Sequence, residues 1–77
     1  MKILLVEDDI MLNEMITEYL TSTGHAIISA KTGLQSLEIL EKEKFDLLIL
    51  DINLPDIDGF TILEKMHEQK RMIPTIY

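Results

Sequence analysis

The sequence predicts an α/β domain built on a parallel sheet with helices on its faces. Two observations carry the prediction. Short, wholly apolar runs alternate with stretches whose apolar residues recur at three- and four-residue spacing. The order that results is β-α-β-α-β-α-β, one strand and one helix per step, which implies parallel pairing through helical crossovers. Right-handed crossovers then restrict the topologies available.

Each element can be justified in turn. Ile3-Leu4-Leu5-Val6 is a run suited to a strand buried on both faces. Leu12, Met15, Ile16, Tyr19 and Leu20 follow as one apolar stripe on a helix, with Asp9 placed to cap its start and Gly24 to end it. His25 to Ala30 reads as a second, weaker strand. Thr32 and Gln35 have capping-box spacing and open a second helix to about Lys44, with Leu34, Leu37 and Leu40 as its apolar positions and Glu38, Glu41 and Lys42 polar. Asp46 leads into a third strand, Leu47-Leu48-Ile49-Leu50, and residues 51–58 form a loop. Gly59 to about Gln69 reads as a helix with Phe60, Leu63 and Met66 inward. Ile73 to Tyr77 begins a fourth strand. Because no helix follows that strand, residues 1–77 are expected to be one incomplete domain, the first part of a larger one.

Composition sets outer limits. Seventy-seven residues make at most one small domain, with 47% apolar residues available for a core. The absence of cysteine excludes disulfides and thiolate metal sites. A net charge of −7 argues against direct nucleic-acid contact by this segment. No apolar run approaches the roughly 20 residues of a membrane span. Met1-Lys2 precedes only four apolar residues, which is no signal peptide, so the chain is expected to be cytoplasmic.

The acids mark a candidate site. Strand 1 ends in Glu7-Asp8-Asp9 and strand 3 ends in Asp51. Ligands of open α/β sheets bind outside the carboxyl ends of the strands. If strand 1 lies between strands 2 and 3, Asp8 and Asp51 share one cleft, since paired strands run about 4.8 Å apart. Clustered carboxylates raise one another's pKa unless a cation intervenes. Mg²⁺ suits such a set, because it takes one or two carboxylates, waters and a phosphate oxygen. A carboxylate could then act as nucleophile toward phosphorus.

Other residues read as structural. Asp9 is expected to be a helix cap, and Asp56 and Asp58 to be solvated or to cap the helix at Gly59. Met11, Met15, Met66 and Met72 are expected in core or edge packing. His25 and His67 lack ligand-like spacing and are expected to be structural or exposed.

Three stretches, "KILLVEDD", "DLLILDINLPDIDGF" and "IPTIY", resemble the N-terminal two-thirds of a bacterial response-regulator receiver domain. The resemblance spans the whole chain. It implies a flavodoxin-like fold with strand order 2-1-3-4, lacking the last strand and two helices. It implies that Asp51 accepts a phosphoryl group from a sensor histidine kinase with Mg²⁺ as cofactor. Asp8 and Asp51 would then ligate the metal, with Asn53 contributing its backbone carbonyl and Glu7 acting through water. Pro55 and Gly59 match the residues that shape the loop. The parent protein would be a transcriptional regulator.

The family's Ser or Thr beyond strand 4 and its Lys ending strand 5 have no counterpart here. Strand 4 is thus expected to be an exposed edge, which invites a homodimer, a larger oligomer or a rearrangement. Whether the chain catalyses its own phosphorylation stays open, and an inactive structural or dimerising fragment is the alternative. An aspartate-nucleophile phosphatase would need an acid where Asn53 stands. A nucleotide-binding half-domain would need a Gly-rich turn where Glu7-Asp8-Asp9 stands.

Overall fold

The computed structural model describes residues 1–77. Its elements are β1 (Lys2–Val6), α1 (Ile10–Ser22), β2 (Ala26–Ala30), α2 (Gly33–Lys42), β3 (Leu47–Leu50), α3 (Gly59–Glu68) and β4 (Thr75–Ile76). The strands pair in the order β2-β1-β3-β4, all parallel. This is the flavodoxin-like order expected, with no rearrangement.

Alternation along the strands divides the sheet into two faces. Leu4, Val6, Ala30, Leu48 and Leu50 point to one face and form the core with Leu40 of α2, Phe45, and Ile62 and Met66 of α3. Ile3 and Leu5, equally buried, point to the other, where α1 packs. With only four strands and three helices, α1 has no helical neighbour on its face, so that side of the sheet is covered along a single line.

Helix faces depart from the sequence expectation in one consistent way. The inward positions are Asn13, Ile16, Thr17 and Leu20 in α1, Gly33, Ser36, Leu37 and Leu40 in α2, and Gly59, Ile62, Leu63 and Met66 in α3. All three follow i, i+3, i+4, i+7, and each starts with a small or polar residue. Leu12, Met15 and Tyr19 are exposed, as are Leu34 and Phe60, which were expected inward. The physical reason is proximity. Each small or polar residue makes a contact that a large apolar side chain could not: Asn13 bonds the Glu7 carbonyl, Gly33 lies against the Ile57 side chain, and Gly59 abuts the backbone of Asp51 and Ile52.

Of the methionines, Met66 is in the core, while Met11, Met15 and Met72 are exposed rather than packed. Asp9 caps α1 by accepting from the Leu12 amide at 3.0 Å. The helix ends at Thr23, and Gly24 follows with φ +93°, the left-handed conformation expected of a residue that reverses the chain. Helix α2 stops at Lys42, two residues early, and β4 is ordered as a strand only over Thr75–Ile76. Arg71 donates to the Leu40 carbonyl, tying the α3–β4 connection to the end of α2. His25 is half-buried beside the N-terminal amine, and His67 is exposed. No helix is long and apolar enough to cross a membrane.

Candidate functional site

Sheet register builds the site. Val6 pairs with Ala30 on one side and with Leu50 on the other, so three strands end level. The ladder continues for one more bond each way: the Glu7 amide donates to Ala30 at 3.0 Å and the Asp51 amide donates to Val6 at 2.9 Å. Glu7 and Asp51 are therefore the first residues past the sheet, held side by side by backbone bonds. One carboxylate oxygen from each of Glu7, Asp8 and Asp51 lies within 4.8 Å of the others. Glu7 and Asp51 are half-buried and Asp8 is exposed.

The electrostatics follow from this crowding. Burial pushes the Glu7 carboxyl above the usual glutamate value; the Asp9 amide opposes the shift, and the nearby Asp51 and Asp8 reinforce it. Local bonds steer the other acids. Asp51 accepts from the Asn53 amide at 3.0 Å, a tight turn that sends the loop away from β3. Asp9 is occupied as the α1 cap and stands outside the cluster. Three oxygen donors, no sulfur and no imidazole make a set that fits a hard cation such as Mg²⁺.

Gly59 explains why α3 can start so close to the acceptor loop. A Cβ there would fall 2.8 Å from the Ile52 Cα and 3.0 Å from the Asp51 carbonyl oxygen. The Gly59 amide instead donates to the Ile52 carbonyl at 3.0 Å. Asp58 caps α3 through the Phe60 amide at 2.7 Å. Pro55 and Asn53 are exposed on the same loop. Beside Asp51 an open groove of about 380 Å³ runs between Glu7, Ile16, Asn53, Ile76 and Tyr77.

Two residues escaped the sequence reading. Asn13, only 3% exposed, donates its side-chain amide to the Glu7 carbonyl at 3.0 Å and pins the backbone of the acid turn. Its signal was positional: it heads the run Asn13, Ile16, Thr17, Leu20. Asp56 does not cap the helix at Gly59; its carboxylate reaches α2, accepting from the Gly33 and Leu34 amides at 2.8 Å each. Nothing in the local pattern reveals that contact, because its partners lie 22 and 23 residues away.

A parallel sheet of order 2-1-3-4 with an acidic cluster at the carboxyl ends of its first and third strands defines a receiver-type α/β domain. The chain belongs to the response regulator receiver domain family, whose model matches residues 3–77. Among curated relatives, a protein named probable transcriptional regulator ycf29, from Porphyra purpurea, is 40% identical over 77 residues, covering 97% of this chain and 37% of its own length. The chain spans about a third of the length of the curated relatives it matches.

Solved structures agree. The Francisella response regulator 1452 receiver domain superposes with a TM-score of 0.92 at 23% identity, over 96% of this chain and 61% of that one, and supports the fold alone. The response regulator TrrA of Thermotoga maritima, solved in complex with Mg²⁺ and BeF, superposes with a TM-score of 0.84 at 30% identity, over 99% of this chain and 70% of that one.

Proposed function

We propose that residues 1–77 form the acceptor portion of a receiver domain, in which Asp51 takes a phosphoryl group from the phosphohistidine of a sensor histidine kinase. The observation that carries this reading is the convergence of the Glu7, Asp8 and Asp51 carboxylates within 4.8 Å at the ends of neighbouring strands. An Asp51 oxygen attacks phosphorus, the phosphorus–nitrogen bond breaks, and its electron pair stays on the departing imidazole, which takes up a proton. The product is an acyl phosphate on Asp51. Asp8, Asp51 and the Asn53 backbone carbonyl would hold Mg²⁺, with Glu7 acting through water. The ion would supply charge neutralisation for the carboxylates and the incoming phosphoryl oxygens.

The Asp51 amide donating to the Val6 carbonyl and the Asn53 amide donating to the Asp51 carboxylate keep the nucleophile in place without help from substrate. The parent protein would be a transcriptional regulator, as the names of the curated relatives suggest, and would act in the cytoplasm as part of a two-component system. DNA contact would lie outside this acidic segment. The exposed β4 edge and the bare flank of α1 support self-association of the 77-residue chain as a homodimer or larger oligomer.

The test is site mapping. After incubation with acetyl phosphate and Mg²⁺, tryptic digestion should place one phosphoryl group on the peptide spanning residues 45–65, and fragmentation should assign it to Asp51. Label on Asp46, Asp56 or Asp58 instead would contradict the assignment.

A further inference from the structure

The Asp56 contact joins the acceptor loop to a helix far away in sequence, and it deepens the reading above, on which it rests. We propose that Asp56 is a positioning residue: by clamping the first two amides of α2, it holds loop 51–58 in the path that presents Asp51 and the Asn53 carbonyl to the metal.

Three observations support it. Both carboxylate oxygens are engaged, Oδ1 by the Gly33 amide and Oδ2 by the Leu34 amide, at 2.8 Å each. Charged acceptors facing amides at a helix start are the stronger kind of hydrogen bond, and the helix dipole adds to them. Next, α2 already has its own cap, because Thr32 Oγ1 accepts from the Gln35 amide at 3.1 Å and the Thr32 carbonyl accepts from Ser36. A solvated helix start could leave the remaining two amides to water. Their use by a loop residue therefore serves the loop more than the helix.

The third observation is steric. A Cβ on Gly33 would fall 2.2 Å from Ile57 Cγ1 and 2.8 Å from Ile57 Cδ1, so the residue beside Asp56 is seated directly on the glycine. Clamp and seat together fix the middle of the loop. Its ends are fixed by the Asn53 amide on Asp51 and the Gly59 amide on Ile52. The Asp56 carboxyl is also held below the usual aspartate range, first by the Leu34 amide, as expected of a carboxylate that does bind these donors.

The test is an amide NMR titration of the 77-residue chain with MgCl₂ alone, on the wild type, Asp56→Asn, Gly33→Ala and the double variant Gly33→Ala/Ile57→Ala. Asparagine keeps the size but offers one acceptor atom for two donors. Dispersed spectra establish that each variant is folded. The Mg²⁺ concentration at half-saturation is expected to rise about tenfold in Asp56→Asn and in Gly33→Ala, the scale seen when residues supporting a metal site are lost. The double variant, which removes the clashing Ile57 atoms, should recover most of that loss. Linkage requires the reciprocal effect, so Mg²⁺ should slow hydrogen exchange at the Gly33 and Leu34 amides of the wild type.

A clamp that is only structural would lower thermal stability and leave Mg²⁺ affinity and its effect on those two amides unchanged, and that result would overturn the inference. Should Asp56→Asn fail to fold, Gly33→Ala and its rescue decide the matter by the same readout. A wild-type chain that does not bind Mg²⁺ overturns the phosphoacceptor reading, and the clamp's part in it falls too. Binding that is equal in all variants overturns the clamp alone.

Discussion

Replacing Gly59 by alanine sets two well-known effects against each other, and the structure says which wins. Gly59 is the first residue of α3, buried, with ordinary helical backbone. Propensity and the entropy of the unfolded chain would make alanine stabilising there by about 0.5–1 kcal/mol. The added Cβ, however, meets backbone rather than a movable side-chain tip: the Ile52 Cα at 2.8 Å and the Asp51 carbonyl oxygen at 3.0 Å. Forcing an extra carbon into such a place costs about 1–3 kcal/mol. Taking the middle of each range, the net expectation is a loss of about 1 kcal/mol once the propensity gain is subtracted. For a domain of this size that lowers Tm by about 4–8 °C. Thermal melts followed by far-ultraviolet circular dichroism, at matched concentration, read it directly. An unchanged or raised Tm would refute the claim that α3 starts in backbone contact with the acceptor loop.

Further expectations concern the faces of α3, the acid turn and its titration. Ile62→Ala should cost about 2–5 kcal/mol, because Ile62 is fully buried, whereas Phe60→Ala should cost under about 1 kcal/mol with that ring largely in solvent; urea unfolding curves that reverse this ranking would mean that α3 is rotated. Asn13→Ala leaves the Glu7 carbonyl without its side-chain donor and should destabilise by about 1–3 kcal/mol, while Asn13→Asp should be no better, since a carboxylate cannot donate to that carbonyl. Because the Glu7 carboxyl is raised above 4.5, its protonated form favours the folded state. That contribution is fully present below pH 4.5 and is lost as pH rises through the elevated folded-state value. Glu7→Gln should therefore raise Tm at pH 7 and change it little at pH 4.5; a Tm lowered at pH 7 would contradict the burial of that charge.

Strand sequence carried most of the fold. Runs such as Ile3–Val6 and Leu47–Leu50 have one physical use in a small acidic domain, and the acids that end them mark the sheet's carboxyl edge. Asp9 and Thr32 were legible as caps because capping is a local bond spanning three residues. The helix faces were harder. Hydrophobicity favoured Leu12, Leu34 and Phe60, yet the inward positions at the helix starts belong to Asn13, Gly33 and Gly59. Gly33 meets the Ile57 side chain, Gly59 meets the backbone of Asp51 and Ile52, and Asn13 bonds the Glu7 carbonyl, none of which a hydropathy pattern records. Phe60, Leu34 and Leu12 keep their large side chains where nothing in this chain covers them. Asp56 was missed for a related reason. Its partners belong to another helix, and only the folded topology brings Gly33 beneath Ile57.

The same division applies to the site. Glu7, Asp8 and Asp51 could be named from the strand ends, and the structure brings their oxygens together. Of the residues around them, Gly59 was legible only through the family resemblance, whereas the buried Asn13 amide on α1 and the loop carboxylate of Asp56 that reaches α2 were not legible at all.

The central claim is that the three carboxylates form a working phosphoacceptor site, and intact mass tests it most directly. The chain would be incubated with acetyl phosphate with and without Mg²⁺, beside Asp51→Asn. The account predicts the gain of one phosphoryl group in the wild type with Mg²⁺, and none without Mg²⁺ or in the variant. Equal labelling of Asp51→Asn, or no labelling of the folded wild type under any condition, would contradict it.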